Sequence, residues 1–390
     1  MDSAGKSSLG AIALGKKVLP FRFLGMGLYL AWLYSSHFSM ALFPLSVDGG
    51  EVSLAFFVSN TVCAATLIAC ALCAGRLAPL TQRQATRWFS GIAAVAGTLV
   101  SAAHGALPFP PEAAIGLGSL LTGAATALLI LMWSEFYANL PMRKVSIYYS
   151  ASFILATALY YATSLLSPLA AILVTAALPA LSVVMLTKSM AILPDSASEA
   201  HNESSERWTF PFRPVLLMAA YSFAFNFVRQ SDGGTTSLGM LGVGLIAAVV
   251  LVANAFFFKR FDTRLLYRLS LPLMVAALLI QPLFGDEGRV IADVLANASY
   301  AGFVILTMII LSGICFRYGV AAIWLFGLTR GGARRGQHHR RVCRENSRLR
   351  NRRSAAGAAG GYCGHPGDRV HVPFKRPGFP QRMGHFPATR

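Results

Sequence analysis

Residues 113–138 read Ala-Ala-Ile-Gly-Leu-Gly-Ser-Leu-Leu-Thr-Gly-Ala-Ala-Thr-Ala-Leu-Leu-Ile-Leu-Met-Trp-Ser-Glu-Phe-Tyr-Ala. The first 22 of these 26 residues carry no charge. At a rise of about 1.5 Å per residue, a helix of this length crosses a hydrocarbon core of about 30 Å. Inside lipid the backbone must satisfy its own hydrogen bonds, so a helix is the only structure open to such a segment. This stretch therefore predicts a membrane-spanning helix.

Comparable apolar stretches recur along the chain. The sequence is 55% hydrophobic and only 13% charged, whereas a soluble domain has about a quarter of its residues charged. We predict an all-α membrane protein with ten or eleven spans. Spans 1 to 10 are expected at 19–43, 53–75, 88–108, 113–138, 145–167, 169–191, 213–230, 236–258, 265–284 and 291–316, and span 11 is expected to begin at Gly319 and to stop at Gly327.

The charges of the loops predict the orientation, because cytoplasmic loops are enriched in Lys and Arg. Every second loop is basic and the loops between them are not. The basic segments contain Lys6, Lys16, Lys17 and Arg22, then Arg76, Arg83 and Arg87, then Arg143 and Lys144, and later Lys259, Arg260 and Arg264. This alternation predicts a cytoplasmic N-terminus. The polar start of the chain has no signal-peptide pattern, so we expect the first span to stay in place in a multi-pass protein in contact with the lipid bilayer.

The spans fall into two sets separated by one long polar loop. We divide the chain into an N-terminal cytoplasmic segment (1–18), a first membrane half of six spans (19–191), a linker (192–212), a second half (213–328) and a tail (329–390). This 6+6 layout resembles the major facilitator architecture, in which two halves meet around a central cavity. On that resemblance the second half is truncated within its fifth helix.

The tail differs in composition from the rest of the chain. It holds 14 Arg and one Lys against two acidic residues, and it is otherwise rich in Gly, Ala and Pro. One explanation is a basic arm that binds anionic lipid headgroups or nucleic acid. The other, which we favour, is translation out of frame, because GC-rich DNA read in the wrong frame yields these residue types. We expect a disordered tail that binds no nucleic acid.

No motif for soluble catalysis occurs in the sequence. It contains no Walker loop, no GxGxxG, no HExxH and no GxSxG, and the loops are too short to build such sites. The six cysteines show no CxxC spacing in a loop and no metal-ligand spacing. We therefore expect no enzymatic activity, no cofactor and no metal.

Polar groups inside the spans are the candidate functional residues, because each is costly in lipid. Glu135 is the only acid within the apolar stretches of the first six spans, with Trp133 and Tyr137 beside it. One interpretation is a ligand or proton site, or a charge pair with Arg143 or Lys144. The other is an interfacial residue flanked by the aromatic side chains of a membrane belt.

Further candidates for a small-molecule site lie on other spans. Tyr148 and Tyr149 line span 5, although aromatic stripes serve packing more often than binding. Asn226 and Arg229 end span 7, and Asp293 begins span 10. Arg229 and Asp293 are expected on the same side of the membrane, so an ion pair that closes a cavity is one hypothesis.

Three aromatic-rich strings resemble a group of bacterial membrane-bound regulators. They are Trp133-Ser-Glu-Phe-Tyr137, Ile147-Tyr-Tyr-Ser-Ala-Ser152 and Phe316-Arg-Tyr-Gly-Val-Ala-Ala-Ile-Trp-Leu-Phe-Gly327. In this group a bundle of about twelve helices precedes a cytoplasmic LuxR-type helix-turn-helix domain. The resemblance, over about residues 21–327, implies a sensory or anchoring module of a transcriptional regulator, located in the bacterial cytoplasmic membrane. No LuxR-type helix pair follows Gly327, so DNA binding cannot be transferred to this chain.

The alternative hypothesis is a secondary transporter of a small molecule. Major facilitator proteins typically carry Gly-x-x-x-Asp-Arg between spans 2 and 3, whereas here Gly75 is followed four residues later by Pro79. The missing Asp argues against the charge relay of those transporters. The sequence therefore favours the regulator module, with the transporter as the alternative.

Overall fold

The computed structural model describes residues 21–38, 50–104, 108, 110–193, 216, 225, 238–256 and 263–331. Within these ranges the chain is built from helices and the turns between them. The helices of spans 1 to 6 are Gly25–Phe38, Gly50–Leu72, Gln84–Ala102, Pro111–Tyr137, Met142–Ser164 and Pro168–Met190. A 3-10 turn at Phe21–Leu24 precedes span 1, and a short helix at Ala74–Leu77 with a 3-10 turn at Leu80–Gln82 connects span 2 to span 3.

The second half continues in the same way. Span 8 is Gly239–Phe256, spans 9 and 10 together form Thr263–Tyr318, and span 11 is Ala322–Gly331. The long helix is broken at Gly285, whose φ of 57° is not helical, and this break separates the two predicted spans. Of span 7 the structure describes only Leu216 and Phe225, both helical. The all-α membrane class expected from the sequence is confirmed.

Not every helix is long and apolar enough to cross a bilayer alone. Among the described residues, four are: Pro111–Tyr137, Met142–Ser164, Pro168–Met190 and Gly288–Tyr318. A fifth span results if the bent pair around Leu72 is counted as one. The apolar parts of spans 8 and 9, Gly239–Asn254 and Ser270–Ile280, are shorter. In the described part of the chain, helices thus lie at the predicted positions of spans 1 to 6 and 8 to 11. Only the four helices named above are long and apolar enough to cross a bilayer alone.

Outward-facing apolar stripes support a lipid environment. On span 8 the exposed side chains are Leu241, Leu245, Val249 and Val252, spaced three or four residues apart. That spacing puts them on one helix face, and the residues between them, such as Ala247, are buried. In water such a stripe would be an aggregation hazard, whereas facing lipid it is expected.

Close helix contacts within each half rely on glycine. A Cβ at Gly123 of span 4 would lie 2.5 Å from the carbonyl oxygen of Ser59 in span 2. A Cβ at Gly242 of span 8 would lie 2.1 Å from the carbonyl oxygen of Val294 in span 10. These backbone approaches match the expectation that small residues bring membrane helices together. Gly116, also on span 4, differs, since nothing lies within 4 Å of its Cβ position.

The helix of span 11 extends beyond its predicted end. Gly319 has a φ of 63° and its N–H donates to the Cys315 carbonyl at 3.0 Å, which ends span 10 in the manner of a glycine C-cap. The next helix then runs to Gly331 instead of stopping at Gly327. Thr329 and Arg330, which we assigned to the tail, are therefore helical, because the apolar face of the helix continues to be buried there. Residues 1–20, 194–212 and 332–390 lie outside the described residues.

Among the described residues, two helix pairs form the most extensive contacts between the halves. Span 5 packs along span 8, and span 2 packs along span 11. In the first contact Asn254 Nδ2 donates to Ser146 Oγ at 2.7 Å, and both side chains are buried. In the second contact a Cβ at Gly327 would lie 2.8 Å from the Leu67 carbonyl oxygen. We refer to these two contacts as the 5–8 seam and the 2–11 seam.

Candidate functional site

The aromatic residues at the end of span 4 lie inside the bundle. Trp133 and Tyr137 have no exposed surface. The indole Nε1 of Trp133 donates to Ser182 Oγ at 3.0 Å, and the Ser182 hydroxyl donates to the Gly25 carbonyl at 2.8 Å. The interpretation of these aromatic side chains as a membrane belt is wrong, because the indole N–H finds its partner on span 6 and no surface is left to contact headgroups.

Glu135 connects span 4 to the loop between spans 2 and 3. Its Oε1 accepts the backbone N–H of Leu80 at 3.0 Å, and its Oε2 accepts the N–H of Thr81 at 2.8 Å. These two amides begin a 3-10 turn that has no side-chain cap of its own. The carboxylate therefore satisfies two otherwise unpaired donors at the start of that turn. A charge pair with Arg143 or Lys144 stays a prediction.

Tyr148 and Tyr149 belong to an aromatic cluster with Tyr137. Tyr149 packs edge-on against Tyr137, with ring centroids 5.5 Å apart. Tyr148 packs edge-on against Phe23 at 5.0 Å, and Phe23 in turn contacts Phe136 at 4.9 Å. Edge-to-face geometry at these distances is favourable for packing. Most of this cluster thus holds spans 1, 4 and 5 together.

Arg330 of span 11 reaches the same cluster from the other half of the chain. Its Nη2 donates to the Tyr149 hydroxyl at 3.4 Å. The Nε atom is inaccessible to water and has no hydrogen-bond partner among the described residues. Sequence reasoning missed this residue because the arginine-rich composition of the tail begins at the same place. The available signal was helical spacing: Arg330 follows Phe326 by four residues, so it lies on the same buried helix face.

Spans from both halves surround Arg330. Tyr149, whose hydroxyl accepts from Arg330, lies on span 5 of the first half, and the helix that carries Arg330 packs on spans 2, 4 and 10. The ring of Tyr300 on span 10 stacks on Phe225 of span 7, with centroids 4.5 Å apart and an interplanar angle of 12°. Arg330 lies in the last described turn of its helix, eight residues after Ala322 and about 12 Å along the helix axis from that residue. The guanidinium of Arg330 thus lies where span 11 of the second half meets span 5 of the first, with the Tyr149 phenol as its hydrogen-bond partner among the described residues.

Asp293 forms a second polar cluster, at the far end of span 10. It is buried, and its Oδ1 accepts Asn297 Nδ2 at 2.7 Å. A Cβ at Gly239 would lie 2.2 Å from Asp293 Oδ2, so the carboxylate sits against the first turn of span 8. A helix N-terminus favours a negative charge. Asn226 and Arg229 lie outside the described residues, so the ion pair between Arg229 and Asp293 stays a prediction.

The described residues contain no cluster suited to a metal ion. No group of three His, Cys, Asp or Glu side chains comes together in that part of the chain. Of the cysteines described, Cys70 and Cys315 are buried, Cys63 is half-buried and Cys73 is exposed.

Comparisons with known proteins leave the family open. No family model matches the chain, and no curated protein matches it. One solved structure that it resembles is the human organic anion transporter MFSD10 (TETRAN), with 14% sequence identity and a TM-score of 0.38. The alignment covers 80% of this chain and 96% of the transporter chain.

Proposed function

We propose that this chain is a secondary transporter of a small molecule, with a major-facilitator-like arrangement of two halves. The substrate binds between the halves, and rocking of one half against the other exposes the site to each side of the membrane in turn. In this proposal the protein resides in the bacterial cytoplasmic membrane with its N-terminus inside. The alternative that ranked second on the sequence thus becomes the first.

The relation between the two seams carries this proposal. If the halves are exchanged, each span number changes by six, so span 2 becomes span 8 and span 11 becomes span 5. The 2–11 seam then turns into the 5–8 seam, and both pairs are in contact. Two equivalent seams are what a pseudo-symmetric pair of halves needs in order to rock about a central site.

Two features of the site agree with transport. Arg330 and Tyr149 bring polar groups of the two halves into contact inside the bundle. Glu135 holds the loop between spans 2 and 3 through its backbone. The lack of an Asp in that loop therefore loses weight as an argument against transport, since a carboxylate from span 4 secures the loop instead.

Distance measurements between the halves test the proposal. In a variant without cysteines, spin labels at Lys144 and Arg317 report on one end of the bundle, and labels at Ser164 and Leu238 report on the other. All four positions are exposed. In lipid nanodiscs we expect two distances for each pair, with the long distance at one end accompanying the short distance at the other.

A pair within the first half is the matched control. Labels at Arg76 and Lys188, both exposed, should give one distance under every condition. A single, unchanging distance for both inter-half pairs would rule out alternating access.

A sensory module of a LuxR-type regulator is the second candidate. The strings that carry this resemblance include residues in direct contact, since Tyr137 packs on Tyr149, and span 11 packs on span 4. A sensor would use such a buried cluster to respond to a ligand without alternating access. The gene sequence discriminates further: a shifted frame that continues into a helix-turn-helix of about sixty residues favours the regulator, whereas a frame that stops after a twelfth span favours the transporter.

A further inference from the structure

We propose that Arg330 is the recognition residue for a small organic monoanion, a monocarboxylate, bound between the two halves. This inference rests on the proposed solute site and specifies the chemical class of the solute. It takes the span 11 helix through Gly331 as read in frame, so that the change of frame favoured above lies after that residue.

Among the described residues Arg330 has no negative partner. Its only hydrogen bond there goes to the neutral hydroxyl of Tyr149, at a long 3.4 Å. No carboxylate in the described part of the chain pairs with it.

Among the described residues, the guanidinium of Arg330 thus has no compensating negative charge and only one hydrogen-bond acceptor, the Tyr149 hydroxyl. It carries five N–H donors in a planar fork, and here its Nε is buried without a partner. A charged side chain within a membrane-spanning helix is costly unless a partner compensates it. A ligand that brings one negative charge and two coplanar oxygens removes both deficits at once.

The charge and geometry of the site select a carboxylate. The planar fork of arginine binds a carboxylate through two parallel hydrogen bonds. A phosphate dianion would bring two negative charges to a single guanidinium, leaving one of them uncompensated. The hydroxyl of Tyr149 offers a further donor, and the rings of Tyr137 and Phe153 around it suit an apolar or aromatic body on the anion.

The contact also lies where an anion could influence both halves. Arg330 is on span 11 and Tyr149 is on span 5, so each residue belongs to one of the two seams. A carboxylate held by both would join the halves at that point.

Binding of benzoate and of its neutral analogue benzamide tests the inference on the full chain in nanodiscs of zwitterionic lipid. Isothermal titration should show benzoate binding to the wild-type protein, with benzamide at least tenfold weaker. Arg330→Gln should weaken benzoate binding at least tenfold while leaving benzamide unchanged. Arg330→Lys, which keeps the charge but loses the fork, should give an intermediate affinity.

Several outcomes would overturn the inference. They are equal affinities for benzoate and benzamide, no benzoate binding by the wild-type protein, or wild-type benzoate affinity in Arg330→Gln. The comparison of the two probes needs no variant, so it stands even where Arg330→Gln fails to fold. Benzoate binding without two inter-half distances would retain the anion site and refute transport. Two inter-half distances without benzoate binding would retain transport and refute the anion site.

Discussion

Replacing Glu135 tests whether its carboxylate holds the loop between spans 2 and 3. The side chain accepts two backbone N–H groups, and the two residues that donate them are buried. Hydrogen bonds to a charged acceptor contribute about 1.5–3 kcal/mol each. Glu135→Ala removes both and leaves two donors without partners, so it should cost about 3–6 kcal/mol locally. Glu135→Gln keeps one neutral acceptor worth about 1 kcal/mol and should cost about 1 kcal/mol less.

Hydrogen exchange of the loop measures these costs directly. The amides of Leu80 and Thr81 are the donors, so their exchange reports on the bonds themselves. A loss of 1.4 kcal/mol corresponds to a tenfold faster exchange from the locally open state. At the lower end of the ranges above, we expect roughly 100-fold faster exchange in Glu135→Ala and roughly 30-fold in Glu135→Gln. Mass spectrometry of peptides that cover residues 76–87 resolves differences of this size.

Glu112→Gln is the matched control, because Glu112 is on the same helix but exposed in its first turn. Hydrogen exchange of the Leu80 and Thr81 amides in Glu112→Gln should equal that in the wild-type protein. The reasoning fails if Glu135→Ala also leaves the two amides as protected as in the wild-type protein.

Three further experiments probe other contacts. Gly242→Ala should lower the unfolding temperature in detergent, because its Cβ would lie 2.1 Å from a backbone oxygen, whereas Gly116→Ala, with open space around it, should leave it unchanged. A double-mutant cycle of Asn254→Ala with Ser146→Ala should give a coupling of about 1 kcal/mol for their buried bond across the 5–8 seam, and additive effects would mean that the bond contributes nothing. Trp133→Phe should destabilise the protein by about 1–3 kcal/mol, because its hydroxyl partner loses the indole donor; an unfolding midpoint equal to wild type would show that ring packing alone matters.

The positions of the spans could be predicted from the sequence because apolar stretches and the glycines that end helices are local features of the chain. Each apolar stretch predicts one helix, and Gly319, which ends span 10, adopts a positive φ that glycine favours. The partners of Glu135 could not be predicted, since they lie 54 and 55 residues away along the chain. Arg330 was missed for a similar reason. Its environment is set by Tyr149, 181 residues earlier, whereas its immediate neighbours in sequence indicate a polar tail.

The direction in which the side chains of Trp133 and Tyr137 point also could not be predicted from the sequence. Trp133 and Tyr137 stand one turn apart near a helix end, where both a lipid belt and an interior cluster would fit. The hydroxyl of Ser182 decides between them, because it gives the indole a partner inside the bundle. Which helix offers that hydroxyl depends on packing between spans 4 and 6.

The hydrogen bonds within the first half also bear on biosynthesis. The pairs Trp133–Ser182, Ser182–Gly25 and Trp32–Thr98 all close within residues 21–190. The nascent first half can therefore complete its interior while the ribosome is still translating the second. Only the later contacts, such as Asn254 with Ser146, have to wait. Because the first half is synthesised first, it can fold before spans 8 and 11 emerge from the translocon. These two spans then pack against spans 5 and 2 of the folded first half.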